Sequence, residues 1–590
     1  MTTLTNSSSP KSWYLGFLIL LSGLGGLVAG IDYGIISVAL LYLDKTISMT
    51  PAEQGFMVSI YVFGGVIASL VAGPLADLVG RKKMLLIAGI MFVASILLIY
   101  VAQGYMSLLV GRVLMGLSGG FVCVVVPLYM AECLPSDFRG RGTSAFQFLM
   151  TVGFFLSTII GNYFAGIHKA AVAAAKGNPE LIFAADNAAW RNIFLTALAP
   201  GLLLIIVAIL AKESPRWLFR RRRGDEAAAV LRLTRTPEQA ELELKEMGER
   251  ANEGVTKESG STPAHADSLF QRKYVVPFVI ACIVLACTQA TGINSIMSYG
   301  AKILQGSGLS EKDAAANLQI VTGINVLVTL VGALLVDKLG RKILLTVGTG
   351  GIIACLFATG VIFNNFESKR VDVLAQIQKG LNPDGIHLEV PIDTATLGSI
   401  EGNAPGQLSV AYKFEKDSKP TVVAAFSNAE KSEDRVLKIA PPAEQKWEVI
   451  DGKKVEVKRV KDSGKLQILN ASYGPIADAS TGKWVTILLC AFIGFFAIGP
   501  GVCVWLALTE LMPTRIRSTG MSIAMVLNTG VQFLSALFFP IVVGSSGFHM
   551  MFFIWGSCTV LYFITAAFFM PETKGKTLEE IEDYFAGKKS

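Results

Sequence analysis

Two ionisable side chains interrupt long apolar stretches of this sequence. Asp32 lies between Gly30 and Gly34, and Arg112 follows Gly111. A charged group in apolar surroundings is costly, so such a residue is first interpreted as functional. Desolvation makes the neutral acid competitive, whereas a nearby cation restores the anion. The pair therefore predicts a carboxyl group that gains and loses a proton. A structural ion pair, or an Asp at an interface with no chemical role, is the alternative.

The elements that must position these residues follow from composition. Of the 590 residues, 52% are hydrophobic and 16% are charged, against about 25% charged in soluble domains. Mean hydropathy is +0.53. A soluble protein could not bury so much apolar surface, which excludes a water-soluble enzyme. A disordered chain, a collagen and a coiled coil are excluded by the same composition. A polytopic membrane protein remains.

Apolar runs of about 20 residues are long enough to span a bilayer, and the sequence predicts twelve of them. They cover roughly 14–43, 54–79, 83–103, 107–131, 143–165, 192–212, 272–303, 314–337, 343–364, 484–511, 519–543 and 547–570. Lys and Arg concentrate in alternate loops, so the positive-inside rule predicts that both termini are cytoplasmic. The polar stretch 1–12 runs directly into the first span, and we expect no cleavable signal peptide.

Charge and cysteine content argue against two other kinds of partner. The net charge of +7 follows the predicted membrane topology, so we expect no nucleic-acid partner. The eight Cys lie in or beside apolar segments without metal-ligand spacing. We therefore expect neither a disulfide framework nor a zinc site, and no cofactor.

Two charged motifs each occur twice. The first is Asp77, Gly80, Arg81 and Lys82, repeated as Asp337, Gly340, Arg341 and Lys342; the second is Glu132, Pro135 and Arg139, repeated as Glu510, Pro513 and Arg517. A parallel duplication of six spans, with substrate bound between the halves, is a transporter architecture. The two motifs are further apart in the second half, which indicates an extra segment there. A long polar stretch at 365–483 matches it.

These motifs resemble those of the sugar porter family of the major facilitator superfamily. Further matching segments are Gly73 to Lys82, Pro127 to Glu132 with Arg139 to Arg141, Glu213 to Arg216, Gln289 to Asn294, and Pro571 to Gly575. The resemblance covers nearly all of the chain except 365–483. It implies an all-α membrane protein with the major facilitator fold of twelve transmembrane helices in two six-helix halves.

The resemblance also implies a domain organisation. We expect an N-terminal half (1–212), a cytoplasmic helical linker (213–271), a C-terminal half (272–364 and 484–570), an outer insertion (365–483) and a cytoplasmic tail (571–590). Within the insertion, alternating runs at 408–414 and 446–459 predict strands, and Asp451-Gly452 inside the second run predicts a hairpin. The insertion between helices 9 and 10 is therefore expected to be β-rich.

The family assigns roles to the two ionisable residues. In a bacterial proton-coupled member the position of Asp32 is an Asp that carries the proton and pairs with an Arg matching Arg112. Passive members carry an uncharged residue there. The resemblance therefore implies proton coupling through Asp32 and Arg112, and the alternative of a structural ion pair stays open.

A polar set matches the family's sugar-contacting positions. It comprises Gln147, Gln289, Asn294, Asn325, Trp505 and Asn528. Amides both donate and accept hydrogen bonds, so they can pair with sugar hydroxyls, and an aromatic face can stack on a sugar. Amides that only tie helices together are the alternative. The chain departs from common family residues at Ala29, Phe154, Thr288, Ser298 and Thr529, so the identity of the sugar cannot be transferred.

A third set, by resemblance, forms the cytoplasmic gate that latches the halves together. It comprises Asp77, Arg81, Glu132, Arg139, Arg141, Glu213, Arg216, Asp337, Arg341, Glu510 and Arg517. Opposite charges that separate when a gate opens are plausible two-state elements. Topology alone would explain the Arg and Lys residues but not the Asp and Glu residues between them.

Together these observations predict a monomeric proton-coupled symporter for a monosaccharide, either a hexose, a pentose or inositol. It would work by alternating access in a plasma membrane, expected to be a bacterial inner membrane, and its partners would be the sugar, protons and the lipid bilayer. A passive facilitator, a nontransporting sugar receptor, a membrane-tethered enzyme and an organic-anion substrate are the alternatives. The insertion shows no catalytic constellation, which argues against an enzyme.

Overall fold

The computed structural model describes residues 12–585 of the chain with gaps. The gaps are 48, 177, 246, 248–270, 393–405, 416–420, 428–435, 442, 451–452, 461–462, 476, 478, 513–516, 574–579 and 582–583. Within the described ranges, 12 helical segments are long and apolar enough to cross a membrane. The expectation of twelve transmembrane helices is confirmed.

The first six spans lie in consecutive helices. These are α1 (Ser12–Thr46), α2 (Pro51–Val79), α3 (Arg81–Tyr100), α4 (Tyr105–Cys133), α5 (Ser136–Ala174), and α6 (Pro179–Thr196) with α7 (Leu198–Leu210). Two short helices follow, α8 (Pro215–Arg220) and α9 (Gly224–Thr234). Local sequence starts α2, because Thr50 and Glu53 form a reciprocal capping box and Pro51 occupies the first helical position.

The second set of six spans is interrupted by the insertion. In chain order the helices are α10 (Arg272–Ala290) with α11 (Ile293–Gly306), α12 (Glu311–Leu339), α13 (Arg341–Glu367), α14 (Leu374–Lys379) in the insertion, α15 (Ala479–Ile498) with α16 (Pro500–Leu511), α17 (Arg517–Ser546), and α18 (Phe548–Ile564). The seventh span is broken between α10 and α11, where Gly292 takes a φ of 80°. That left-handed conformation favours glycine.

The insertion is β-rich, as predicted. Its strands are β1 (Val371–Asp372), β2 (Leu388–Pro391), β3 (Gly406–Phe414), β4 (Thr421–Phe426), β5 (Val436–Ile439), β6 (Ala443–Ile450), β7 (Lys453–Val460) and β8 (Leu466–Pro475). A four-stranded sheet has the order β1-β8-β3-β4, and β2 pairs with β5. Leu408 and Val410 alternate into a small core of their own.

The predicted hairpin is confirmed by the pairing of β6 with β7. The two strands are antiparallel and Ile450 pairs with Lys453, so the connection is two residues long. Asp451 and Gly452 themselves lie outside the described residues. An Asp-Gly pair is typical of the turn that a two-residue connection requires.

The halves meet through three pairs of helices. Helix α1 packs on α11, α2 packs on α17, and α5 packs on α12. Inside the N-terminal half, α1 packs on α5 and α2 on α4. The end of the bundle that carries Arg81 and Arg341 is its basic end, and the opposite end, next to the insertion, is its insertion end.

Candidate functional site

Asp32 and Arg112 are buried in the N-terminal half, with 0% and 1% of their surfaces exposed. They do not form the direct ion pair that the sequence predicts, since none of the described salt bridges within 4.0 Å joins them. Tyr61 of α2 lies beside both. Its hydroxyl donates a long hydrogen bond of 3.4 Å to Asp32 Oδ2, and Arg112 Cζ lies 5.0 Å from its ring centroid. The aromatic ring thus offers the guanidinium a cation–π contact.

One atom of each charged group has no hydrogen-bond partner among the described residues: Asp32 Oδ1 and Arg112 Nε. An unsatisfied buried polar group is expensive, and a catalytic role is one reason for a protein to keep it. The arrangement therefore leaves the Asp32 carboxylate able to take up a proton, and leaves the guanidinium free to change partner.

Glycines let the helices that carry Asp32, Tyr61 and Arg112 approach one another closely. A methyl group at Gly30 would overlap the backbone of Met150, and one at Gly116 would overlap the backbone of Tyr61. Helices α1 and α2 can therefore pack tightly on α5 and α4, as small residues allow in membrane helices.

Three of the predicted sugar-contacting amides form one cluster in the C-terminal half. Asn294 Nδ2 donates to Gln289 Oε1 at 2.6 Å, and Gln289 Nε2 donates to Asn528 Oδ1 at 3.3 Å. Asn528 Nδ2 donates to the Leu285 carbonyl at 2.9 Å. The break at Gly292 places Gln289 and Asn294 on either side of it, at the end of α10 and the start of α11.

The other predicted sugar contacts are not part of this cluster. Asn325 Oδ1 accepts from the Thr329 hydroxyl at 3.3 Å, one turn further along α12. Gln147 is half-buried in α5. Trp505 belongs to α16, but its side chain lies outside the described residues. The structure thus brings together three of the six residues.

A small cavity between the halves connects the ionisable group with the amide cluster. Tyr33, Tyr61 and Arg112 line it from the N-terminal half, and Asn294 and Gln532 from the C-terminal half. Its volume is about 10 Å³, close to the minimum that holds one water. A sugar could enter this cavity only if the halves moved apart.

Sequence reasoning did not single out Tyr33, Tyr61 or Gln532. Gln532 Nε2 donates to Tyr33 Oη across the halves at 3.4 Å, and the Tyr33 and Tyr61 rings meet edge to face with centroids 5.0 Å apart. A tyrosine in an apolar span has no distinctive spacing, so the sequence offered no signal for these contacts.

At the basic end, the buried Arg81 is the centre of a charge cluster. Its guanidinium contacts Asp77 Oδ1 at 2.7 Å and Glu132 Oε2 at 2.9 Å. Glu213 Oε1 accepts from the backbone N–H groups of Arg81 and Lys82 at 2.8 and 3.1 Å. The carboxylate thereby caps α3, and its negative charge interacts favourably with the positive end of the helix dipole.

The second half repeats this arrangement. Arg341 Nη2 lies 3.2 Å from Glu510 Oε1, and the Glu572 carboxylate accepts from the backbone N–H groups of Arg341 and Lys342 at 3.0 and 3.2 Å. Gly340 precedes the helix with a φ of 90°, and a methyl group there would collide with the Glu572 carboxylate. Glu572 was not among the predicted gate residues, although it stands in the matching segment Pro571 to Gly575.

The described salt bridges of Arg81 and Arg341 therefore join residues of the same half. Arg216 is half-buried at the start of α8. The side chains of four predicted gate residues lie outside the described residues: Arg139, Arg141, Asp337 and Arg517.

Polar contacts that cross the halves occur at the insertion end. Lys45 Nζ lies 2.6 Å from Glu311 Oε1, and Lys302 forms a salt bridge with Asp44. Further along the same interface, the Thr158 and Thr322 hydroxyls are 2.8 Å apart, and Asn162 Nδ2 donates to Gln319 Oε1 at 3.1 Å. The two halves are thus held together at this end.

The chain matches the sequence profile of a known protein family. The sequence profile described as "Sugar (and other) transporter" matches residues 18–377 and 467–585. The unmatched stretch between them holds most of the insertion.

Relatives along nearly the whole chain are transporters. The glucose transporter GlcP of Staphylococcus epidermidis is 27% identical over 567 residues, covering 96% of this chain and 96% of the relative. The probable inositol transporter 2 of Arabidopsis thaliana is 28% identical over 578 residues, covering 97% and 91%. The human proton myo-inositol cotransporter is 26% identical over 568 residues, covering 96% and 81%.

A solved structure has a similar fold. The xylose transporter XylE of Escherichia coli, in a partially occluded inward-open conformation, superposes with a TM-score of 0.63 and 19% identity. The match covers 96% of this chain and 100% of that one. At this identity the likeness concerns the fold, and it agrees with the two-half helical bundle described above.

Proposed function

The chain belongs to the sugar transporter family and is a multi-pass membrane protein, and on that premise we propose that it carries a monosaccharide or inositol together with a proton. The observation that carries the proposal is the buried carboxyl group of Asp32, which has an unpartnered oxygen and a cation nearby. A passive carrier would have no need for a carboxyl group at this depth, where it is costly.

The amide cluster supports a hydroxylated substrate. Gln289, Asn294 and Asn528 satisfy one another here, and each amide can exchange these bonds for bonds to sugar hydroxyls. Gln147, Asn325 and Trp505 would complete the site once the halves close around a substrate. Glucose and inositol appear in the names of the relatives, so these two are the first substrates to test.

Alternating access is supported by the different ends of the bundle. We propose that the basic end and both termini face the cytoplasm, so that the crossing ion pairs close the outer side in this conformation. In the outward-open state these pairs would part, and the basic-end residues would contact the opposite half. The proposed location is a bacterial inner membrane, and the proposed unit is a monomer.

The proposed cycle begins with the outer side open. Asp32 takes a proton from the outer solution, which weakens its attraction for Arg112, and sugar binds between the halves. The outer side then closes, the basic end opens and sugar leaves inward. Loss of the proton to the inner solution restores the Asp32 anion. One charge crossing about 100 mV supplies about 2.3 kcal/mol, which sustains roughly 50-fold accumulation at about 1.4 kcal/mol per tenfold.

The test is uptake of labelled glucose, xylose and inositol into proteoliposomes with an imposed inward proton gradient. We expect the wild type to accumulate one of them and the Asp32→Asn variant only to equilibrate it. Asp225→Asn, at an exposed position of α9, is the control and should accumulate normally. Equal, gradient-independent equilibration by the wild type and Asp32→Asn would instead identify a facilitator.

If none of the tested sugars crossed the membrane, the proposal that this protein is a transporter would be contradicted. Binding of a sugar by the same purified protein would then favour a receptor. Binding and flux are therefore measured on the same preparation.

A further inference from the structure

The two buried charges of the N-terminal half share one neighbouring side chain. Asp32 and Arg112 each touch Tyr61, on its hydroxyl and on its ring, and no described salt bridge joins the two charges directly. Tyr61 is 5% exposed, so bulk water competes little for these contacts. A change in the protonation of the Asp32 carboxyl group therefore alters its hydrogen bond with Tyr61.

Space for the tyrosine hydroxyl is created by a glycine. A methyl group at Gly119 of α4 would come within 2.7 Å of Tyr61 Oη and 3.5 Å of Asp32 Oδ2. The added methyl group would therefore lie next to the hydrogen bond between Tyr61 and Asp32. Even an alanine at Gly119 would therefore press against the hydroxyl and move it relative to Asp32.

From Tyr61 the contacts continue into the other half. The Tyr61 ring packs edge to face on Tyr33, whose hydroxyl accepts from Gln532 of α17. Gln532 lies one helical turn beyond Asn528, and Asn528 belongs to the amide cluster. A shift of Tyr61 can therefore reach the substrate-binding half through only two intervening side chains.

We propose that Tyr61 is a positioning residue that sets the place of Arg112 according to the protonation of Asp32 and passes the change to Gln532 through Tyr33. This inference rests on the proposed function. Anionic Asp32 accepts the Tyr61 hydrogen bond, which holds the ring under the guanidinium. When Asp32 takes a proton from the outer solution, its neutral carboxyl group accepts that bond more weakly, and the ring and Arg112 are released together.

Other titratable groups surround this pair. Tyr33 on α1, Cys123 on α4 and Tyr299 on α11 are the groups whose charges would act on Asp32, Tyr61 or Arg112. Their ordinary forms near neutral pH are uncharged. Asp32 is the group here that would change charge during the cycle, and Arg112 supplies the fixed positive charge.

The experiment separates the hydroxyl from the ring. Tyr61→Phe keeps the cation–π contact and removes the hydrogen bond to Asp32. A hydrogen bond contributes about 0.5–1.5 kcal/mol net, and one pH unit corresponds to about 1.4 kcal/mol. Because the lost bond favours the Asp32 anion, we expect half-maximal proton-driven uptake to move to higher pH by roughly 0.5 to 1 unit.

A matched control removes the same atom elsewhere. The Tyr42 hydroxyl is buried on α1 without a hydrogen-bond partner among the described residues, so Tyr42→Phe should keep the wild-type pH profile. Sugar exchange without a gradient should change by less than about twofold in Tyr42→Phe, because Tyr42 lines neither the cavity between the halves nor the amide cluster. Gly119→Ala is a second variant, which tests the same hydrogen bond if Tyr61→Phe does not fold, and we expect it to move the profile in the same direction.

The outcomes are distinguishable. A shift in Tyr61→Phe or Gly119→Ala with none in Tyr42→Phe supports the inference. A wild-type profile in both Tyr61→Phe and Gly119→Ala, or an equal shift in Tyr42→Phe, overturns it and leaves the proposed symport intact. Uptake by the wild type that ignores the proton gradient overturns the proposed coupling, and the inference falls with it.

Discussion

The two ends of the helical bundle use their charges differently. At the basic end, Arg81 and Arg341 each bind a carboxylate of their own half. At the insertion end, Lys45 and Lys302 bind carboxylates of the opposite half. Pairs within a half survive any rigid movement of the halves, whereas pairs across them must break when that end opens. The first kind should stabilise the fold, and the second kind should bias the conformation.

The largest expected effect comes from the basic end. Arg81→Gln removes a guanidinium that is 2% exposed and leaves the buried Glu132 without its cation. Loss of one partner of a buried pair costs about 3–5 kcal/mol. We expect a clearly lower thermal unfolding midpoint, measured on the purified protein.

The control at this end is Arg220→Gln. Arg220 also reaches Asp77, at 3.3 Å, but its side chain is 65% exposed, and an exposed pair contributes about 0–1 kcal/mol. If both variants unfolded at the same temperature as the wild type, the basic-end cluster would not stabilise the fold as the comparison requires.

A smaller and different effect is expected at the insertion end. Lys302→Met breaks a cross-half pair whose members are 22% and 32% exposed, worth about 1 kcal/mol or less. The population of molecules open at this end should rise by up to about fivefold, with little loss of stability. Hydrogen exchange at the ends of α11 and α12 measures the change.

Lys312, on the next helix along the chain, provides the comparison. It is an exposed residue in the first turn of α12, and Lys312→Met should leave the exchange rates as they are. Equal exchange in wild type and Lys302→Met would mean that the cross-half pair does not bias the conformation.

The smallest expected effect is at the pair of Asp384 and His387, which lies within the insertion and does not join the two halves. In the insertion, the backbone N–H of Ile386 donates to the Asp384 carboxylate at 2.9 Å and His387 lies beside it, and these contacts lower the pKa of Asp384. A lowered pKa means that the contribution is present at neutral pH and is lost as pH falls through that pKa. Asp384→Ala should speed amide exchange at Ile386 and His387 at neutral pH, not in strong acid, with uptake unchanged. Altered uptake would contradict the view that only crossing pairs affect the conformation.

Much of this arrangement could be predicted from the sequence, because the repeated motifs fix both the spans and the charged residues between them. Arg81 with Glu132 and Arg341 with Glu510 stand in duplicated patterns, and the Asp-Gly hairpin is a local signal. The Lys302–Asp44 pair had no such signal, since its members are hundreds of residues apart and belong to different halves.

The sequence singled out Asp32 and Arg112 as ionisable residues in apolar surroundings, but it did not predict the geometry between them. Composition identifies Asp32 and Arg112 as unusual, yet it cannot tell a direct pair from one separated by an aromatic ring. Tyr61 looks like an ordinary apolar residue until helix packing places it there. The amide set shows the same limit, because Gln289, Asn294 and Asn528 meet only through the bend at Gly292.

The pairing of β1 with β8 has a consequence for how this molecule can change. Val371 lies opposite Tyr473, so the chain leaves the ninth span and returns to the tenth at nearly the same point. Everything between these two strands is an appendage on a closed stem. We expect that the connections between its inner strands can lengthen or shorten without moving either flanking helix.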